Sequence, residues 1–354
     1  MLVQVLAQIA TSLLLYAWIG ALKSKWGEIK RIFWSLSLTL VGPVMLLAFL
    51  DGKFYFGYIG LANYHNPTVH LLRPFALASF YFAVRAFGNP RNPNWMVWLS
   101  AGLMTAGALV KPNYALSILP ALALSAAWYL WKKRPLDWRM LVWGQAVPAL
   151  LMLAMQTVLI YLVPDADKSG ITIAPFQVES GFSGYLPLKF LLSILFPLAL
   201  GVFIYLSPNP SPKGEGSKRT TERFSAQSAE NLSEPPVFEG GKGGWADNLK
   251  YAWNRLRFAV TGNTEMALAW AAFGAGVLQL YLLAETGERF FHGNFRWSAQ
   301  ITLFILFAAS ARYLLRRAEE LTSWQRWLIY AAYALQLAGG IAYYIYVFIQ
   351  PHYS

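Results

Sequence analysis

The side chains able to do chemistry in this sequence gather in four short stretches between long apolar runs. The first, from Asp51 to Phe75, reads DGKFYFGYIGLANYHNPTVHLLRPF. Asn66-Pro67-Thr68 has the form of a helix start, because proline has no backbone N–H to lose there and Asn66 or Thr68 can cap exposed amides. A helix amino end attracts anions, and Arg73 follows about one turn inside, which suits a phosphate or pyrophosphate. The plainer reading is an arginine snorkelling beside a capped helix. In the second stretch, Lys111-Pro112-Asn113 interrupts an apolar run, either as a tight turn or as a broken helix pair that places Lys111 in a cavity. The third, 164–185, holds Asp165, Asp167 and Glu179. Asp165-Ala166-Asp167 is an acidic pair of the kind that can hold a metal, but the expectation for all three is a solvated loop. The fourth begins at Glu285 and reads ETGERFFHGNFRW, packing Glu288, Arg289, His292, Asn294 and Arg296 among aromatics. Rings stack on apolar sugar faces while arginines bind oxyanions, so this stretch suits a sugar or a lipid phosphate; an ordinary interfacial loop is the alternative.

Other chemistries are excluded or unsupported. There is no cysteine, which removes disulfides, thiolate catalysis and Cys-ligated metals. The four histidines, His65, His70, His292 and His352, have no zinc-ligand spacing, and no metal or other cofactor is expected. No phosphate-binding glycine loop, serine nucleophile elbow or dinucleotide fingerprint is present. The net charge of +12 does not point to nucleic acid, because the basic residues sit in short segments between apolar runs.

The elements that must position these residues are membrane helices. Hydrophobic residues make up 56% of the 354 positions and charged residues 13%, too few to coat a water-facing surface. The expected fold is all-α, a polytopic transmembrane bundle of about ten helices, with apolar runs near 2–22, 32–50, 69–87, 95–110, 114–131, 140–163, 186–206, 264–284, 297–315 and 325–349. The amino-terminal run has no basic leader and reads as a retained helix. Alternate loops carry 22 and 7 of the 29 Lys and Arg, which puts the richer side in the cytoplasm and both termini outside. Trp26, Trp34, Trp95, Trp98, Trp128, Trp131, Trp138, Trp324 and Trp327 fall near the cytoplasmic helix ends, as an aromatic belt would. Residues 1–206 carry the first seven helices and their external loops, 207–259 the cytoplasmic part, and 260–354 the last three helices. Within the cytoplasmic part, 207–244 is rich in Pro, Gly, Ser and charge and reads as a disordered linker; 245–258 reads as a basic amphipathic helix.

Tyr64-His65-Asn66-Pro67-Thr68 with Leu71, Leu72, Arg73, Pro74 and Phe75, then Lys111-Pro112-Asn113-Tyr114, then His292-Gly293-Asn294-Phe295-Arg296-Trp297, together resemble a group of bacterial polytopic proteins that looks like the GT-C superfamily of membrane glycosyltransferases. The resemblance covers most of the membrane region but not 207–244. It implies a GT-C-like fold in the bacterial cytoplasmic membrane. It also implies a hexosyl- or pentosyltransferase that takes a sugar from a polyprenyl-phosphate carrier to an acceptor at the external face. Its partners would be the lipid-linked donor and membrane lipid. In such families an acidic residue of the first external loop deprotonates the acceptor hydroxyl, and basic residues hold the departing lipid phosphate. Carried onto this sequence, the base is Asp51, with Glu285 or Glu288 behind it. The substrate-binding residues are His65, Asn66, Arg73, Lys111, Asn113, Arg289, His292, Asn294 and Arg296. Family members start inside the cell and carry a sizeable acidic loop after the first helix. This chain starts outside and enters directly what would be the second helix, so the expectation is a chain lacking that first helix and loop, amino-terminally incomplete or inactive.

Two other classes fit the same pattern. A transporter or lipid flippase is one, although no expected helix centre contains an ionisable residue, only glutamines such as Gln145, Gln156, Gln279 and Gln336, which disfavours ion coupling. A non-catalytic membrane partner is the other.

Overall fold

Every apolar run of the sequence becomes helix, but not every run becomes one straight crossing. The computed structural model describes residues 2–21, 27–52, 56–60, 67–161, 170–205 and 263–349. The expected linker at 207–244 and basic segment at 245–258 lie outside the described residues, as do His65, Asn66, Asp165, Asp167 and His352. In chain order the helices are α1 (Leu2–Gly20), α2 (Glu28–Leu40), α3 (Ala48–Asp51), α4 (Pro67–Arg85), α5 (Asn94–Val110) and α6 (Asn113–Trp131). Then come α7 (Trp138–Leu141), which runs through a π turn (Val142–Ala146) into α8 (Val147–Tyr161), and α9 (Gln177–Ser180), α10 (Leu186–Ser193) and α11 (Leu195–Tyr205). The last three are α12 (Thr264–Leu282), α13 (Arg296–Arg317) and α14 (Ser323–Ile349). Two three-residue strands, β1 (Ile171–Ile173) and β2 (Leu283–Glu285), pair antiparallel with Ile171 opposite Glu285.

Among the described residues six helices are long and apolar enough to cross a membrane, and a seventh crossing results if α10 and α11, bent 70° apart, count as one. The expected ten exceeds this for physical reasons. The run expected at 32–50 is broken: α2 stops at Leu40, Val41 turns extended, and helix resumes only over Ala48–Asp51. α5, 17 residues long, is at the lower limit of a span. α4 has the length, but His70, Arg73, Pro74 and Arg85 dilute its apolar character.

α13 is the pillar. It is buried from Ser298 to Leu315 and packs on α12, α6, α4, α11 and α2. Small residues let its neighbours approach closely, as is usual in membrane bundles. At Gly276 of α12 a Cβ would lie 2.7 Å from the Ser298 carbonyl oxygen, so only glycine fits that crossing.

The two interruptions face each other across α14. Gln336 Nε2 donates to the Leu192 and Ser193 carbonyls at 3.2 and 2.7 Å, and its Oε1 accepts from Phe196 N at 2.7 Å, covering the break between α10 and α11. Gly42 N donates to the Gln336 carbonyl at 3.1 Å and Val44 N to Leu192 O at 3.2 Å, which satisfies the break after α2. Irregular backbone at membrane depth persists only with such partners. The other mid-helix glutamines do similar work: Gln145 donates to Ser79 O (3.2 Å), Gln156 to Ala108 O (2.8 Å) and Gln279 to Leu116 O (3.0 Å). Each ties its helix to a neighbour's backbone.

Of the tryptophans expected near helix ends, Trp95, Trp98, Trp131, Trp138, Trp324 and Trp327 are exposed and Trp128 is half-buried, while Trp26 lies outside the described residues. Trp34 departs from these. It is buried in the core, with its ring 4.4 Å from that of Tyr333, because α2 is short and tucked against α14. Toward the carboxyl end of α13, Glu265 pairs with Arg312 and lies 3.7 Å from Arg316, while Arg312 Nε donates to Trp18 O at 3.2 Å.

The close approach of α14 to the break after α2 is testable. A Cβ at Gly340 would sit 1.8 Å from the Leu40 carbonyl oxygen, whereas one at Gly274 meets nothing within 4 Å. Gly340→Ala is expected to cut the yield of folded protein and its melting temperature in detergent. Gly274→Ala, as the control, should leave both unchanged or slightly raised.

Candidate functional site

The four reactive stretches of the sequence converge where they are described, at the end of the bundle where α13 begins. Gly293, with φ of 63°, ends the short 3₁₀ turn Gly287–His292, and Arg296 N then donates to Gly293 O at 2.9 Å to start α13. Across from it, α5 and α6 meet in a tight turn at Lys111-Pro112, so the plainer of the two readings of that stretch describes its backbone. Asn113 Nδ2 donates to Asn294 O and to Ser298 Oγ, both at 3.0 Å. The Lys111 ammonium lies 4.9 Å from the centre of the Trp297 ring. The Lys-Pro-Asn and Gly-Asn-Phe-Arg-Trp elements are therefore in direct contact. On the outer side of the same turn, Asn294 Nδ2 donates to Glu285 Oε2 at 2.7 Å.

Two ion pairs stand beside this junction. Arg296 grips Glu179 with both arms of its guanidinium, Nε to Oε1 at 3.1 Å and Nη2 to Oε2 at 2.5 Å, and both side chains are buried. Such forked pairing is the strongest form of carboxylate recognition. Lys189, wholly buried on α10, donates to Asp51 Oδ2 at 2.5 Å and to Phe56 O at 2.9 Å, and lies 4.9 Å from the Tyr58 ring centre. Ser183 Oγ reaches the same Asp51 oxygen at 3.4 Å. Phe56 joins the two pairs: its carbonyl takes Lys189, while its ring, stacked on Phe182 at 4.5 Å, lies 5.8 Å from the Arg296 guanidinium carbon.

The expected site residues thus separate into groups. Lys111, Asn113, Asn294 and Arg296 come together, and Asp51 stands on the neighbouring pair. Arg73 is buried deeper in the bundle, where Nη1 donates to Thr39 O at 3.2 Å and the guanidinium carbon lies 5.1 Å from the Phe304 ring centre. With Gln300, Gly42 and Gly60 it lines a cavity of ≈20 Å³, room for about one water. Glu288 and His292 are exposed on the 3₁₀ turn with Arg289 half-buried beside them, apart from the buried pairs. His65 and Asn66 lie outside the described residues.

The solvated-loop expectation for 164–185 fails at Glu179, which is 2% exposed and neutralises Arg296. A carboxylate buried opposite an arginine from a distant helix leaves no local sequence signal. For Lys189 the sequence signal is its place one turn inside an apolar run, where a lysine is costly.

The charges differ in how they are used. Arg296 and Asp51 are committed to partners, whereas Lys111 makes no ion pair among the described residues and has only the Trp297 face. Burial without a counter-charge pushes its amine down to about 8. Among the described residues no three His, Asp or Glu converge as a metal site requires. Neither a family model nor any curated protein or solved structure matches this chain.

The Glu179–Arg296 pair carries its own test. Glu179→Gln leaves a buried guanidinium without its charge partner, which should cost about 3–5 kcal/mol of stability. The double variant Glu179→Gln, Arg296→Met should recover most of that loss, as measured by unfolding in detergent. Equal stability of the single variant and the parent protein would mean the pair is not buried as described.

Proposed function

We propose that this chain is a membrane glycosyltransferase of GT-C type, which moves a sugar from a polyprenyl-phosphate carrier to an acceptor hydroxyl at the rim formed by the start of α13. The basic-residue bias supports orienting that rim to the external face, with both chain ends on the same side. The observation that carries the reading is Lys111: a half-buried ammonium without an ion-pair partner among the described residues, over the face of Trp297, beside the Asn113–Asn294 junction. An ammonium is a good phosphate binder, and an adjacent indole face suits the apolar side of a sugar or the first carbons of a lipid.

In this reading the acceptor oxygen attacks the anomeric carbon while the bond from that carbon to the carrier phosphate oxygen breaks. The bond's electron pair leaves on the phosphate, which Lys111 holds. The acceptor proton passes to a carboxylate, and Asp51 is the proposed base, positioned by Lys189 and Ser183. Glu288 and Glu285 stand behind it on the outer turn. Arg296 positions the start of α13 through Glu179, and Arg73, Arg289, His292 and Asn294 remain candidates for the carrier or the acceptor.

A second reading, lipid translocation without chemical change, draws on the two interrupted helices that meet at Gln336, because discontinuous helices are a recurring feature of transporter sites.

Reconstituted protein given a polyprenyl-phosphate sugar separates the two: transfer of label to an acceptor supports the transferase, and movement of intact lipid between leaflets supports the translocator. For the transferase, Asp51→Asn should abolish transfer while the protein stays folded. Lys111→Met should weaken binding of polyprenyl phosphate about tenfold to a hundredfold, the value of one charge-assisted hydrogen bond. Because the amine is charged only below its depressed value, binding by the unaltered protein should be strong at pH 6–7 and fall as the pH rises through about 8. Lys111→Arg should carry tight binding to higher pH. A flat profile for the unaltered protein would remove Lys111 from the phosphate site.

A further inference from the structure

Between α1, α4 and α5 lies a groove of ≈780 Å³, open along its side, within the size range of small-molecule sites. It runs most of the length of α1, from Val3 to Ala21, because Ala7, Ala10 and Ala17 on α1 and Ala78 on α4 leave room that larger side chains would fill. Its walls are otherwise Leu, Phe and Val with Pro74, and its polar groups are the Trp18 indole and the Tyr81 hydroxyl, both toward one end. Water gains nothing in such a slot, and a hydrocarbon chain does.

The polar end is cationic. Arg85 Nη1 donates to the Tyr81 hydroxyl at 2.8 Å, while Arg85 Nε is buried with no hydrogen-bond partner. Arg85 makes no ion pair among the described residues. Across the same end, Arg31 lies over the Tyr16 ring at 4.2 Å and packs on Gly20, next to Ala21, where any side chain would collide with its guanidinium. Arg31 shares its charge with Glu28 at 3.3 Å, so Arg85 is the cation open to an anion. An apolar slot that ends at a cation without an ion pair among the described residues has the form of a phospholipid: chain along the slot, phosphate at the basic end.

We propose that the α1–α4–α5 groove binds an anionic phospholipid, with an acyl chain between Ala10 and Ala78 and its phosphate on Arg85. The phosphate end of the site lies at the opposite end of α5 from Lys111, near Asn92, and the proposal does not rest on the transferase reading. A lipid held here joins α1 to α4 where side chains leave a gap, so it acts as a fixed structural element and not as a substrate.

The test uses the full-length protein in detergent, titrated separately with phosphatidylglycerol, phosphatidylcholine and polyprenyl phosphate, with bound lipid counted by native mass spectrometry and the melting temperature recorded in parallel. The protein should hold phosphatidylglycerol more tightly than phosphatidylcholine and should melt higher with it. Arg85→Gln should lose about fivefold in affinity for phosphatidylglycerol, bringing it close to phosphatidylcholine. Arg85→Lys should keep most of the preference, and Ala78→Phe, which fills the slot, should lose both lipids. Equal binding of the two lipids by the unaltered protein would overturn the proposal, as would an Arg85→Gln protein that still prefers phosphatidylglycerol. So would displacement of phosphatidylglycerol by equimolar polyprenyl phosphate, which would assign the groove to a carrier lipid. The lipid-free melting temperatures identify a variant that has failed to fold, and Ala10→Phe then stands in for Ala78→Phe.

Discussion

A peptide group at membrane depth has no water to bond to, and this requirement governs the rest of the structure. Where the chain is helical the requirement is met locally. It is not met at the break after α2 or at the bend between α10 and α11, and the two take their partners from Gln336 of α14 and from each other, Val44 N donating to Leu192 O. The side chain and the carbonyl of Gln336 serve the two breaks at once, and Gly339 and Gly340 allow the broken backbone to lie against the helix. With those donors and acceptors removed, several groups would each cost of order 1–3 kcal/mol. The interruptions exist because a single helix elsewhere is shaped to receive them.

The interruptions also place charge. Ending α2 early frees the segment that carries Asp51, Phe56 and Tyr58, and bending α10 away from α11 brings Lys189 to meet it. A buried lysine or arginine is tolerable only when paired and hydrogen-bonded. The bundle meets this at both ends of α13, with Glu179 on Arg296 at one end and Glu265 on Arg312 at the other. Two of the central helix's four arginines, Arg296 and Arg312, can therefore be buried, while Arg316 and Arg317 stay exposed at its end. Lys111 stands outside this scheme, over an indole and without a carboxylate among the described residues, and that distinguishes a cation available to a ligand from one committed to the fold.

Polar side chains inside the bundle follow the same economy. Gln145, Gln156 and Gln279 each donate to a carbonyl of another helix, so the mid-membrane glutamines serve as structural ties. Reading them as a substrate path would mistake tertiary hydrogen bonding for function. Arg73 is intermediate: it is held by the Thr39 carbonyl and the Phe304 ring, yet with Gln300 it borders a small cavity.

Much of the helix content was legible because a spanning helix is written in consecutive residues. The runs expected at 69–87, 95–110, 114–131 and 264–284 are α4, α5, α6 and α12 within a few positions, and Pro67 opens α4 as its chemistry requires. The contact between the Lys111 turn and the Asn294 turn agrees with a chain that weaves to and fro. The break inside 32–50 is marked in the sequence by Gly42-Pro43, because proline has no N–H to donate and interrupts a helix, but the groups that hold it, the Gln336 and Leu192 carbonyls, were not legible. Nor were Glu179 and Lys189, whose partners are 117 and 138 positions away. Hydrophobicity is a property of each residue and sums along the chain, so the sequence alone decided that the segments are long apolar helices of the kind that cross a membrane. Which buried charge meets which is a property of pairs, and only the packed bundle decided it.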